Sequence, residues 1–209
     1  MEGIATDMAP AVALLLSYLS GSIPFAAIAG KLRGVDLRKH GSGNLGATNV
    51  FRVLGWKIGL AVFVADALKG ALPVLYLPPR IASPRDPVVW AIACGIAAIL
   101  GHVRPIFLGF RRGGKGVATA AGVFFALAPI PMSITFAVFV GVVLGTGYVS
   151  LGSLISAVVL PGLLLITLGP RTPLFVVSTL IALFVFWTHR ANIARLRRGE
   201  EHRFGRRDA

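Results

Sequence analysis

Residues 9–30, APAVALLLSYLSGSIPFAAIAG, form a run of 22 positions without a charged side chain. As a helix rising 1.5 Å per residue, such a run extends about 33 Å, enough to cross the ~30 Å hydrocarbon core of a bilayer. Similar apolar runs recur at 56–77, 88–108, 117–130, 132–149, 151–168 and 173–189. The run at 117–130 is short and reads as ending at Pro129 and Pro131, so a re-entrant segment or a tilted, broken helix is open there. The pattern predicts an all-α polytopic membrane protein with seven transmembrane helices.

The composition points the same way. Hydrophobic residues make up 56% of the 209 positions and charged residues 14%, with a mean hydropathy of +0.80. A soluble domain carries about 25% charged residues. Residues 1–209 therefore read as a single integral membrane domain, with 206–209 expected to be a disordered tail. The opening MEGIATDMAP contains acidic residues and no Lys or Arg. It lacks the basic n-region of a secretory signal peptide, so the first run is expected to be retained as a span. Cys94 is the only cysteine. That excludes an intrachain disulfide and a CxxC metal pair, and its Ala/Ile/Gly surroundings suit close helix packing. In so apolar a chain, the net charge of +13 fits membrane topology and anionic phosphates better than nucleic acid.

Basic residues collect in cytoplasmic loops. The segment 31–57 carries Lys31, Arg33, Arg38, Lys39, Arg52 and Lys57; 109–116 carries Arg111, Arg112 and Lys115; the tail from 190 carries seven arginines. The opposite loops hold only Arg80, Arg85 and Arg171. The bias places the N-terminus outside and the C-terminus in the cytoplasm. An even number of crossings must then separate 109–116 from the tail, which four spans satisfy.

Three polar islands fall on the expected cytoplasmic face. The first is HGSGNLGATNVFR at 40–52. Gly41 and Gly43 permit close backbone approach, and successive small residues can expose N–H groups as an anion nest. Ser42, Asn44, Thr48 and Asn49 add side-chain donors, and Arg52 can grip a phosphate bidentately. A plain flexible turn with a helix cap at Thr48 or Asn49 is the competing reading. The second island is GFRRGGKGVAT at 109–119, where Gly113, Gly114 and Gly116 surround Lys115 just before an apolar run. Glycines, a lysine and a following helix N-terminus suit phosphate, although the Walker A spacing GxxxxGK[ST] is absent. A positive-inside anchor explains Arg111 and Arg112 but not the glycines. The third is HRANIARLRRGEEHRF at 189–204. On a helix, His189, Asn192 and Arg195 share a face, while a basic amphipathic tail on anionic lipid accounts for Arg197 and Arg198.

Two further features lie at or within spans. Asp66 and Lys69, at i and i+3, can pair inside the bundle, as a functional pair or a structural one. His102, Arg104 and Pro105, in GHVRP near the cytoplasmic end of the third apolar run, are placed to face the same pocket as that pair. No histidine begins the HxxxxD pair of a large group of glycerolipid acyltransferases, and no GxSxG elbow, acidic metal cluster or zinc spacing is present. The chemistry expected is anion handling without a covalent nucleophile, metal or cofactor.

Taken together and in order, GSGNLGATN, GH-x-x-P at 101–105, GGKGVAT and H-R-x-N-I-x-R-L at 189–196 resemble the bacterial acyl-phosphate:glycerol-3-phosphate acyltransferase family. The resemblance runs from Ser20–Pro24 to His202–Phe204. It implies a seven-span enzyme of the bacterial inner (cytoplasmic) membrane, N-terminus outside and active site facing the cytoplasm. It also implies transfer of a fatty acyl group from acyl phosphate to the sn-1 hydroxyl of glycerol 3-phosphate. The products are lysophosphatidic acid and inorganic phosphate, in the first acylation of phospholipid biosynthesis. By resemblance, Ser42 and Arg52 are activity-critical, Gly113, Gly114, Lys115 and Gly116 form the glycerol-phosphate loop, and His189 and Asn192 are catalytic or substrate-positioning. Glu201 matches a glutamate of more structural character. Partners are the two substrates and membrane lipid, with no nucleic acid; the oligomeric state is open, as is whether His189 or the donor phosphate takes the hydroxyl proton. A transporter of an organic phosphate is the alternative. It would be expected to show internal repeats around a midplane site, and none is visible.

Overall fold

The computed structural model describes residues 8–81 and 86–204. The opening residues 1–7 and the tail 206–209, on which two sequence expectations rest, lie outside the described residues. Contacts divide the chain into two compact units, Met1–Leu127 and Ala128–Ala209.

The first unit contains α1 (Pro10–Ser22), α2 (Phe25–Leu32), α3 (Ala47–Leu54), α4 (Trp56–Tyr76), α5 (Pro87–Val103) and α6 (Val117–Leu127). The second contains α7 (Pro129–Thr146), α8 (Val149–Leu168), α9 (Pro173–Thr188) and α10 (Arg190–Arg198). Among the described residues the architecture is all-helical, with one isolated backbone bridge between Met8 and Ile81. Among the described residues, five helical stretches are long and apolar enough to cross a membrane, or six if the bent pair α9 and α10 is one span. The 11-residue α6 reaches only about 17 Å at 1.5 Å per residue.

Proline punctuates these helices for a simple reason. It lacks an N–H and has a preset φ, so it fits a first turn, whose amides have no intrahelical partner. Pro10, Pro87, Pro129 and Pro173 open α1, α5, α7 and α9. This corrects the reading of Pro129 and Pro131 as the end of the fourth run: they start the next helix, and the fourth ends at Leu127. Pro24 acts otherwise. It breaks the run 9–30 into α1 and α2, because within a helix it would remove a hydrogen bond and clash with the preceding turn.

Small residues let the first unit pack closely. α1 lies on α5 and α4 on α6. A Cβ added at Gly21 would stand 1.9 Å from the Ala98 carbonyl oxygen, one at Gly101 2.2 Å from that of Tyr18, and one at Gly122 1.8 Å from that of Ala67. Cys94 is fully buried beside Ala13 and Ile81. In the second unit, α8 packs on both α7 and α9. Hydroxyls within the apolar helices turn back on their own backbones: Ser17, Ser22, Thr135, Ser153 and Thr179 each donate to the carbonyl four residues earlier. That spares them an unsatisfied polar group in hydrocarbon. Leu144 and Ile166 are 79% and 83% exposed, as expected of side chains whose solvent is lipid.

Because the methyl of Gly122→Ala would meet the α4 backbone, this substitution should destabilise the protein by about 1–3 kcal/mol. Gly141 has open space around its Cβ position, so Gly141→Ala should be neutral or slightly stabilising. Thermal unfolding in detergent measures both; equal effects would contradict the close α4–α6 approach.

Candidate active site

The first polar island is a loop closed by one amide. Gly46 caps α3, so Thr48 and Asn49 lie inside that helix and not at its cap. From there the Asn49 side chain, 1% exposed, reaches back across the loop. Its Oδ1 accepts from Ser42 N at 2.8 Å, and its Nδ2 donates to the carbonyls of Leu37 and His40, each at 3.1 Å. Both Nδ2 hydrogens are therefore used, and donation to a phosphate would require breaking one of these bonds. Gly41 is held at φ +61, where a Cβ would sit 2.3 Å from Asn49 Oδ1. Gly43, at φ +67, completes a turn that L side chains rarely adopt. Ser42 and Thr48 are exposed and Asn44 is half-buried. Arg52 stands exposed in the last turn of α3.

The second island rests on the end of α5. Gly113 N donates to the Val103 carbonyl at 3.0 Å. Cβ atoms at Gly113 and Gly114 would fall 2.1 Å from the His102 carbonyl oxygen and 2.0 Å from His102 Nε2. Gly116, at φ +84, sets the turn into α6, and the half-buried Lys115 lies between these glycines.

Behind this loop is a buried charge cluster. Asp66 and Lys69 on α4 are 1% and 4% exposed. Asp66 Oδ1 is 2.7 Å from Lys69 Nζ and 3.6 Å from His102 Nδ1. Lys69 Nζ also donates to the Ile23 carbonyl at 2.7 Å, at the break between α1 and α2, and stands over the Phe25 ring. The i, i+3 spacing announces the Asp66–Lys69 pair. The approach of His102 has no such local signal, because it depends on how α5 packs on α4.

His189 and Asn192 belong to the second unit. His189 joins α9 to α10, which bend by 58°. Its Nδ1 is 2.9 Å from the Val185 carbonyl. A carbonyl only accepts, so Nδ1 carries hydrogen and a neutral ring has its lone pair on Nε2. Asn192 Nδ2 donates to Glu201 Oε1 at 2.6 Å, Ser150 Oγ donates to the same oxygen at 3.0 Å, and Arg195 Nε donates to Oε2 at 2.7 Å. Thus Asn192 and Arg195, three apart on one face, converge on Glu201. The chain beyond α10 also returns to the α7–α8 turn, where Phe204 N donates to the Gly147 carbonyl and Arg203 Nε to Tyr148 Oη.

Burial pushes the Glu201 carboxyl up, but hydrogen bonds from Asn192, Arg195 and Ser150 and the charge of Arg195 outweigh it, leaving the group below the ordinary carboxylate range. Its stabilisation is thus present above the unfolded-state value and is lost as pH falls through the lower folded value. Glu201→Gln should cost roughly 2 kcal/mol near neutral pH and flatten the acid side of a stability–pH profile. A profile that keeps its shape would show that Glu201 does not act through its charge.

The glycine loops and the segment 189–199 are part of a match that extends well beyond these motifs. A family model described as glycerol-3-phosphate acyltransferase matches residues 11–199. The glycerol-3-phosphate acyltransferase of Geobacter sulfurreducens is 49% identical over 190 residues, spanning 90% of this chain and 94% of its own. That of Aquifex aeolicus is 44% identical over 192 residues, spanning 91% and 97%. The fold is similar to the crystal structure of PlsY (YgiH), an integral membrane glycerol 3-phosphate acyltransferase, in its glycerol 3-phosphate form: the TM-score is 0.85 at 42% identity, over 94% of this chain and 96% of the other. For the lysophosphatidic acid form the TM-score is 0.82 at 41% identity, over 94% and 95%. With sequence, length and helical fold agreeing over nine-tenths of the molecule, the chain belongs to the glycerol-3-phosphate acyltransferase family.

Proposed function

We propose that this acyltransferase takes its acyl group from acyl phosphate and delivers it to the sn-1 hydroxyl of glycerol 3-phosphate, in the first acylation of phospholipid biosynthesis. It does so as a seven-span protein of the bacterial inner membrane, N-terminus outside, with its active site facing the cytoplasm. The observation that most supports this reading is the loop Gly113–Gly116, pressed against the end of α5 with Lys115 between its glycines and a helix beginning at Val117. Such a loop suits a phosphate monoester. The related PlsY has been solved in glycerol 3-phosphate and lysophosphatidic acid forms, which are the acceptor and product of the transfer.

Acyl phosphate is a mixed anhydride with phosphate as its leaving group, so neither a protein nucleophile nor a metal is required for activation. The acceptor hydroxyl oxygen attacks the acyl carbon, the new ester C–O bond forms, and the anhydride C–O bond breaks. The hydroxyl proton ends on inorganic phosphate, either directly or through His189 Nε2. Alignment of the two substrates supplies much of the rate. Ser42, Arg52 and Lys115 supply donors and positive charge for the phosphates and the developing oxyanion. In this reading Gly41, Gly43, Asn44, Thr48 and Asn49 shape or line the first loop, and Asn192 orients the segment that bears His189.

Purified protein given acyl phosphate and glycerol 3-phosphate should release lysophosphatidic acid and phosphate in equal amounts without CoA or added metal. Folded protein that is inactive on this pair, but turns over with acyl-CoA, would overturn the donor assignment. Ser42→Ala, Arg52→Ala and His189→Ala should each lower kcat/KM by about 100-fold. Gly113→Ala should raise the KM for glycerol 3-phosphate by about tenfold with a smaller change in kcat. For topology, a cysteine placed at Arg198 in a Cys94→Ala background should react with an impermeant thiol reagent only in inside-out vesicles.

A further inference from the structure

We propose that His102, held by Asp66, is a positioning residue that sets the glycine-rich loop and thereby the affinity for glycerol 3-phosphate. The inference rests on reading Gly113–Gly116 as the loop that holds that substrate's phosphate.

The imidazole lies between two groups. On one side, Nδ1 is 3.6 Å from the Asp66 carboxylate, whose other neighbour is the Lys69 ammonium at 2.7 Å. On the other, Nε2 occupies the space beside Gly114, where a Cβ would be only 2.0 Å away. The ring is 6% exposed, so the protein around it restricts its retreat. The His102 carbonyl similarly fills the Cβ position of Gly113, and the next carbonyl, that of Val103, accepts from Gly113 N at 3.0 Å. One residue thus fixes the approach of two consecutive loop glycines, through its backbone at one and its ring at the other.

Gly114 does not adopt a positive φ. Alanine at that position is thus excluded chiefly by the imidazole and not by backbone strain. If the loop rests on the ring, its conformation depends on the ring's orientation, and the buried carboxylate that faces Nδ1 is placed to fix that orientation. Asp66 itself is tied to Lys69, which caps the Ile23 carbonyl. The arrangement couples the break in the first apolar run, through α4 and the end of α5, to a loop that follows α5. None of these three charged or titratable side chains has to touch the substrate for this to operate.

Kinetics of the full-length protein with each substrate varied separately test the assignment. His102→Ala should raise the KM for glycerol 3-phosphate by about tenfold while kcat and the KM for acyl phosphate change by less than about threefold. Gly114→Ala should produce a similar rise. The double variant should be no worse than His102→Ala alone, since the methyl then enters space vacated by the ring; such non-additivity is the signature of direct contact. Multiplicative effects, or a folded His102→Ala with an unchanged KM for glycerol 3-phosphate, would overturn the proposal. Should His102→Ala fail to fold, Asp66→Asn takes its place and must move the same KM. Lys115→Ala separates the two levels. If it raises that KM while the His102 and Asp66 variants do not, only the positioning role fails. If it too leaves that KM unchanged, the phosphate-loop reading fails.

Discussion

The carbonyl of Ile23 lies at the break that Pro24 makes between α1 and α2, where it accepts from Phe25 N at 3.2 Å and from Lys69 Nζ at 2.7 Å. A backbone break within an apolar run is tolerated only where protein groups satisfy the freed polar atoms. A lysine brought there must itself be neutralised, and Asp66, one turn away on α4, does so. The carboxylate is buried in turn and is approached by His102 from α5. A single interrupted helix thus accounts for a sequence of buried charges that tie α1, α4 and α5 together.

The second unit solves a similar problem with a different centre. Glu201 is a buried carboxylate satisfied by an amide, a hydroxyl and a guanidinium. Neutral hydrogen bonds and one partly exposed cation meet its needs, whereas Asp66 depends on fully buried partners. The difference matches their settings: Asp66 lies within an apolar run, and Glu201 lies beyond the last one, where Arg195 retains 30% side-chain exposure. In both units the carboxylate joins elements distant in sequence.

Much of the architecture is legible in the sequence because hydrocarbon imposes a coarse rule. The runs at 56–77, 151–168 and 173–189 become Trp56–Tyr76, Val149–Leu168 and Pro173–Thr188. Errors arise where one residue type has two uses. Pro129 and Pro131 read as terminators but initiate α7, while Pro24 separates α1 from α2 inside a stretch, Pro10–Leu32, that is still long and apolar enough to be one span. Local spacing exposes the Asp66–Lys69 pair and the shared face of Asn192 and Arg195. It conceals what those faces meet. Glu201 as the common acceptor, His102 against Gly114 and Asn49 across its loop all depend on the chain returning to itself, for which a periodicity contains no signal. Asn49 is the clearest case: its residue type suggests a ligand donor, yet its position on α3 directs the amide at the backbone of residues 37–42.

That inward amide has a kinetic meaning. A glycine-rich loop left to itself samples many conformations, and a ligand that selects one must bear the ordering entropy. Here three hydrogen bonds from a helical side chain have already removed much of that freedom when the protein folds. A substrate phosphate bound there, as proposed above, would meet a preformed surface, so association would not wait for loop closure and binding energy would not be spent on it. An asparagine whose amide is spent on its own loop would in this way quicken capture of whatever that loop holds.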